Sequence, residues 1–169
     1  MAPNAIGREN FWNMARLQKS GIKETKENDF SQFSIKISGQ IDAKSLKSLI
    51  PAKRASHMSM ATQLVWVASK LALEDAQFER RKVNPDSVGI VMGTTLGTLD
   101  WAFEQYRAFQ KKGCRGVNPY TIAAGSPNAV SGEISAEYGF RGPSLTIVQG
   151  CSSSSVAIAH GLDFIQSGK

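Results

Sequence analysis

The side chain with the clearest setting for covalent chemistry is the thiol of Cys151, in Ser144-Leu-Thr-Ile-Val-Gln-Gly-Cys151-Ser-Ser-Ser-Ser155-Val-Ala-Ile-Ala-His160. Upstream, Leu145, Ile147 and Val148 make a short uncharged run bounded by Gly142-Pro143, the pattern of a buried strand. After Gly150 the serines offer N-caps. Val156, Ala157, Ile158, Ala159, Leu162, Phe164 and Ile165 then predict a helix apolar on nearly every side, hence buried. Cys151 therefore falls at the turn between a strand and a helix. There the unpaired N–H groups and positive dipole end of the first helical turn favour thiolate, and the same N–H groups can hold an oxyanion. Gly150 allows the tight bend of a nucleophile elbow. A free cysteine is also commonly a small buried hydrophobe, and geometry alone divides evenly between the two roles.

Other reactive groups are sparse. The chain has two histidines. His160 lies about 13 Å along the helix axis from Cys151 and on the opposite face, so it is expected to be a satisfied buried histidine, not a base for that thiol. His57 precedes a long helix beside Lys53 and Arg54 and reads as surface or as a partner contact. Cys114 has basic neighbours that lower a thiol pKa, but it sits in a loop with no element to position a substrate. Gly93-Thr-Thr-Leu-Gly97-Thr is a glycine-rich loop after a strand; its spacing matches neither the dinucleotide fingerprint nor the phosphate-binding loop, which rejects nucleotide binding. No metal ligands are assigned.

The elements that must hold these groups follow from periodicity. Arg8 to Lys19 predicts a first helix, with Phe11, Trp12, Ala15 and Leu17 buried and Gly21 as its C-cap. Lys23 to Asn28 is a charged link, and Phe33 to Ile37 alternates as a half-buried strand. Asp42 to Ile50 reads as a short helix stopped by Pro51. Met58, Ala61, Leu64, Val65, Ala68, Leu71 and Ala72 then mark the apolar face of a long helix reaching about Gln77. Val88 to Met92 is the clearest strand. Trp101 to Lys111 is helical, with Trp101, Tyr106 and Phe109 as core or subunit-contact residues, and Lys112 to Pro119 is a loop. Ser126 as N-cap and Pro127 at the first helical position start another helix, closed by Gly139. Three strands separated by helices make an α/β domain.

Composition excludes several classes. At 169 residues, 41% apolar and 20% charged, the chain is long enough for one domain with a core. No run reaches the length of a membrane span, and the N-terminus lacks the order of a signal peptide. Two cysteines in unlike contexts give no disulfide framework, so a reducing cytoplasm fits best. A net charge of +6 suits an acidic partner, but the basic residues are scattered and no nucleic-acid motif interleaves them.

Thr146-Ile-Val-Gln-Gly-Cys151-Ser-Ser-Ser-Ser-Val-Ala-Ile resembles the active-site segment of the β-ketoacyl synthases, the condensing enzymes of fatty acid and polyketide assembly. Further matches occur in the family's order: Phe11-Trp12 with Gly21-Ile22, Leu73-Glu-Asp-Ala76, Val88-Gly-Ile-Val-Met-Gly-Thr94, Ala123-Ala124 and Tyr138-Gly-Phe-Arg-Gly-Pro143. Gln149-Gly150 stands where Thr/Asp-Ala is commoner, and Thr95 and Thr98 stand where glycines are common. The resemblance implies a thiolase-like fold, with helices packed on a mixed sheet, of which this chain is the N-terminal half. It implies that Cys151 accepts the acyl group, that Leu96 lines the acyl pocket, and that Lys53 and Arg54 contact the acidic acyl carrier protein.

It also implies no tightly bound cofactor, substrates carried on the phosphopantetheine of a carrier protein or on CoA, and a homodimer or a heterodimer with another synthase chain. The two histidines that assist condensation in the family come from its second half, and neither His57 nor His160 matches them. The family's first strand and second half are expected to be missing from residues 1–169, which then form a fragment or one piece of a split synthase that is acylated without condensing. Two other readings compete. A non-catalytic, synthase-like partner subunit is disfavoured by the presence of Cys151, and a cysteine hydrolase by the position of His160.

Overall fold

The computed structural model describes residues 1–25 and 32–169; residues 26–28 of the expected charged link lie outside them. The chain divides into two compact units, Met1–Ile50 and Pro51–Lys169.

In the first unit, α1 spans Arg8–Arg16. It ends earlier than expected, and Gly21 is not its cap. Leu17 closes the helix, and Gln18 turns into the left-handed region with φ 52°. Phe11 and Trp12, expected to be buried, are 50% and 59% exposed, and Leu17 is exposed as well. Periodicity identified an apolar stripe, but none of the described residues of this unit buries it. Strands β1 (Ile22–Glu24) and β2 (Ile37–Gly39) pair antiparallel, with Lys23 opposite Ser38. The expected strand over Phe33–Ile37 therefore begins only at its last residue, and Phe33 and Ile35 are exposed. α2 (Ala43–Lys47) lies within the expected Asp42–Ile50 helix. Asp42 caps it, its carboxylate accepting from the Ser45 N–H at 2.8 Å and the Ser45 hydroxyl at 2.5 Å. These bonds hold the Asp42 carboxyl below the usual range.

The second unit opens with α3 (Ala52–Ala55) and α4 (Met60–Asp75). Ser59 caps α4 through the Thr62 N–H, and the Asp100 carboxylate accepts the Met60 N–H at 2.7 Å. The buried face of α4 is Thr62, Gln63, Trp66 and Val67, not the expected stripe of Ala61, Leu64, Val65, Ala68, Leu71 and Ala72. Hydrogen bonding explains the rotation. Thr62 is satisfied by Ser59, and the Gln63 amide donates to the carbonyls of Met58 and Ala55, so two polar side chains can turn inward at the capped end.

Strands β3 (Ile90–Thr94) and β4 (Ser144–Val148) pair parallel, from Ile90 beside Ser144 to Thr94 beside Val148. β3 starts two residues later than expected because Pro85–Ser87 forms a tight turn first. Between the strands come α5 (Leu99–Lys112), a turn over Gly113–Gly116 within the expected loop, α6 (Thr121–Gly125) and α7 (Ala129–Tyr138). α7 starts later than Ser126-Pro127: Asn128 occupies the cap position, and the Ser126 hydroxyl donates to its side chain. Gly139, at φ 63°, closes α7 as expected. Trp101 of α5 is buried; Tyr106 and Phe109 are exposed and not part of this unit's core.

α8 (Ser153–Gln166) follows β4, and α7 and α8 both pack on the strand pair. Strand alternation puts them on opposite faces. Thr146 meets Ser131 of α7, whereas Gly93, beside Ile147 in the ladder, abuts the start of α8. The core gathers Trp66, Val67, Ile90, Trp101, Val130, Ile134 and Ala157. Burial of a side chain such as Val130 or Ile134 contributes about 1.5–3 kcal/mol.

The expectation that β4 and α8 are buried fails. Leu145 and Val148 are exposed, and along α8 only Ser153 and Ala157 are buried, with Ile158 75% and Ile165 79% exposed. A two-stranded sheet is too narrow to cover more than one strip of a helix. His160 is likewise exposed, not buried. Among the described residues, the antiparallel and parallel pairings form separate two-stranded sheets, and no helix is long and apolar enough to cross a membrane.

Candidate active site

The chain leaves β4 at Val148 and turns through Gln149 into Gly150, whose φ of 60° lies in the region that favours glycine. One tight turn over Gly150–Ser152 leads into α8 at Ser153. Cys151 sits on that turn with its side chain exposed, so the buried-hydrophobe role is excluded within this chain. It occupies the first turn before the helix, where backbone N–H groups lack intrahelical partners.

The serines do not cap α8 as expected. Ser152 occupies the cap position without a capping bond, and its hydroxyl folds back to the Gln149 carbonyl at 3.0 Å. Ser153 organises the turn instead. Its hydroxyl accepts the Gln149 N–H at 2.8 Å and lies 2.8 Å from the carbonyl oxygens of both Gly150 and Thr94. Thr94 is the last residue of β3, so one hydroxyl joins the ends of both strands to the start of the helix.

Gly93 permits this closeness. A Cβ there would lie 2.5 Å from the Ser153 carbonyl carbon and 2.6 Å from the Ser154 nitrogen. In the sequence Gly93 falls in a glycine-rich loop and a family-like strand run, and Ser153 among four serines after the thiol, with no role at the elbow assigned to either. The signal was present in both cases: a glycine near a strand's end, and a serine two residues after the thiol.

The loop carrying Leu96 touches the elbow. The Thr95 hydroxyl donates to the Gly150 carbonyl at 3.4 Å, and Leu96 is 67% exposed. Thr98, buried, fixes the far end of the loop by donating to the Gly125 carbonyl at 2.5 Å. Next to the elbow, β3 and α8 border an open groove of about 700 Å³ lined by Met92, Gly93, Ser154, Ala157 and Ile158, among others.

Lys53 and Arg54 lie on α3. Lys53 is exposed, whereas Arg54 is half-buried and paired with two carboxylates of α7, Glu133 at 3.6 Å and Glu137 more closely. His57 stacks on Tyr120 with ring centroids 4.0 Å apart, and His160 projects from α8 more than two turns beyond the thiol. Neither histidine joins the elbow. Among the described residues, no three His, Cys, Asp or Glu side chains gather as a metal site.

An exposed thiol on a strand–turn–helix elbow, fed by one of two parallel strands, gives this α/β unit the geometry of a nucleophile elbow. The family model for the β-ketoacyl synthase N-terminal domain matches residues 1–169, and the chain belongs to that family. The chain is 26% identical to the tetracenomycin polyketide synthase ketoacyl synthase alpha subunit of Streptomyces glaucescens, over 99% of its own length and 41% of that protein's. It is 25% identical to the 3-oxoacyl-[acyl-carrier-protein] synthase 2 of Staphylococcus aureus, over 93% of the chain and 39% of the relative. Its fold is similar to that of the ishigamide ketosynthase/chain length factor, with a TM-score of 0.85 at 19% identity, covering 99% of this chain and 42% of that one. The thiolase-like fold expected from the sequence is therefore present, and the chain spans about two fifths of the length of these proteins.

Proposed function

We propose that this chain is the acyl-accepting part of a β-ketoacyl-[acyl carrier protein] synthase of fatty acid or polyketide biosynthesis, acting in the cytoplasm. The observation that carries the reading is the exposed Cys151 on a turn tied to both strands of a parallel pair. In the first half-reaction the Cys151 thiolate attacks the carbonyl carbon of an acyl thioester carried on phosphopantetheine or CoA. The carbonyl oxygen takes up the electron pair as an oxyanion, and free N–H groups at the start of the helix stabilise it. The oxyanion then collapses, the bond to the carrier sulfur breaks, and the carrier leaves as a thiol with the proton that Cys151 gave up. A malonyl unit on the carrier then loses CO2, and its carbanion attacks the new thioester carbon. The bond to the Cys151 sulfur breaks and the thiolate is freed, leaving the β-ketoacyl chain on the carrier, with groups from beyond residues 1–169 assisting.

The substrates arrive on an acyl carrier protein, and the whole enzyme works as a homodimer or with a second synthase-type chain. Solved proteins of similar fold support both partners. One is a type II polyketide ketosynthase with its acyl-carrier protein, matched at TM-score 0.70, and another pairs a ketosynthase with a chain length factor. Lys53 is the exposed cation available to an acidic carrier; Arg54 would share that role only by loosening its pairs with Glu133 and Glu137. Leu96 borders the bound acyl chain, and no tightly bound cofactor takes part.

The test is intact mass spectrometry of the purified protein after incubation with a short acyl-CoA, beside Cys151→Ala. One acyl adduct, lost in the variant, supports the reading. An unmodified, folded protein refutes it, and an adduct on Cys114 would reassign the nucleophile.

A further inference from the structure

We propose that Ser153 is a positioning residue for Cys151, setting the geometry of the thiol and of the backbone donors around it; this rests on the acyl-acceptor reading above. Ser153 is 2% exposed, so its hydroxyl bonds are not shared with solvent. A serine hydroxyl has one proton and two lone pairs. It accepts the Gln149 N–H, and its single proton goes to the Thr94 or the Gly150 carbonyl, each 2.8 Å away. The three groups it joins belong to the two residues before Cys151 and to the end of the neighbouring strand.

No other side chain in the elbow does this. Ser152 reaches only the Gln149 carbonyl, and Thr95 only the Gly150 carbonyl at 3.4 Å. Gly93 adds a steric reason for the arrangement, since its missing side chain lets Ser153 come within reach of Thr94. Removing the hydroxyl leaves the Gln149 N–H and the Thr94 carbonyl without this partner, so the peptide planes flanking Gly150 lose their tie to β3. The N–H groups that receive the acyl oxyanion belong to the same turn. Ser153 therefore acts on the rate of the chemical step and not on binding of the acyl donor.

The experiment follows acylation of Cys151 by intact mass at a series of acyl-CoA concentrations, for wild type, Ser153→Ala, Ser153→Thr and Ser155→Ala. Ser153→Ala is expected to lower the maximal acylation rate by about tenfold or more, as for a buried group left without its partner. The half-saturating concentration should not change. Ser153→Thr, which keeps the hydroxyl, should recover most of the rate, and Ser155→Ala should match wild type. Alkylation of Cys114 serves as an internal clock that no variant changes.

An unchanged maximal rate in folded Ser153→Ala overturns the inference, as does a raised half-saturating concentration at constant maximal rate. Amide exchange in the wild-type protein gives a check that needs no variant: the Gln149 N–H must be protected, and fast exchange there overturns the proposal. If the wild type itself takes no acyl group, the acyl-acceptor reading fails instead.

Discussion

Gly93 is the position where one methyl group tests the whole elbow. In Gly93→Ala the new Cβ would lie 2.5 Å from the Ser153 carbonyl carbon, 2.6 Å from its oxygen and 2.6 Å from the Ser154 nitrogen. All three are backbone atoms of the start of α8, so no side chain can rotate away. Relief to ordinary contact requires β3 and α8 to part by about 1 Å. That movement stretches the 2.8 Å bond from Ser153 to Thr94 beyond hydrogen-bond range. Overpacking of this kind costs about 1–3 kcal/mol, partly offset by the roughly 0.5–1 kcal/mol gained when alanine replaces glycine in a strand.

A net loss of about 1–2 kcal/mol lowers the melting temperature by roughly 2–8 °C in a chain of this size. Thermal unfolding by circular dichroism reads the loss, and the acylation rate of Cys151 reads the displaced elbow. Gly161→Ala is the control within α8. A Cβ there meets nothing within 4 Å, so the same substitution should stabilise the helix by about 0.8–1 kcal/mol. Equal melting temperatures for Gly93→Ala and wild type, with equal acylation rates, would refute the close approach of β3 and α8.

Three further outcomes are expected. Asp100→Ala removes the carboxylate that accepts the Met60 N–H and should cost about 1 kcal/mol, read by urea titration, with Asp100→Asn retaining part of it. The Asp86 carboxyl, hydrogen-bonded by the Arg141 guanidinium, titrates below the usual carboxylate value. Its contribution is therefore present above the unfolded value and is lost as pH falls through the lower folded one. Carboxyl-carbon NMR should show that low midpoint, and Arg141→Gln should raise it; an unmoved midpoint refutes the assignment. Lys53→Glu should slow acylation from an acyl carrier protein while leaving acylation from acyl-CoA unchanged, whereas equal rates from the carrier would remove Lys53 from the docking surface.

Local grammar made the elbow legible. A β-branched run, then glycine, thiol and serines ahead of an apolar stretch, located the strand, the turn and α8 to within a residue or two. Gly139 gave the end of α7 because a left-handed cap is a one-residue property. Burial was not legible, because it depends on what covers a face. The stripe of α1 and most of α8 are as apolar as expected, yet they remain exposed. In α4 the periodic stripe pointed to the wrong side, because Ser59 and Thr62 bond each other and the Gln63 amide N–H donates to the Met58 and Ala55 carbonyls at the capped end. The role of Ser153 was hidden for a related reason: its partner Thr94 is distant in sequence, and no spacing rule joins the two.

That separation bears on how the protein matures. The bond from Ser153 to Thr94 joins positions 59 residues apart, and the ladder beside it closes a similar span. Parallel pairing across such an interval is among the slower events in folding, since the entropy of closing the loop opposes it before any contact rewards it. Cys151 is thus an ordinary thiol on a nascent chain and acquires its setting only once β3 and β4 have met. On the acyl-acceptor proposal, fast acyl transfer to this cysteine would report on completed folding, with unfinished chains reacting only at the rate of an ordinary thiol.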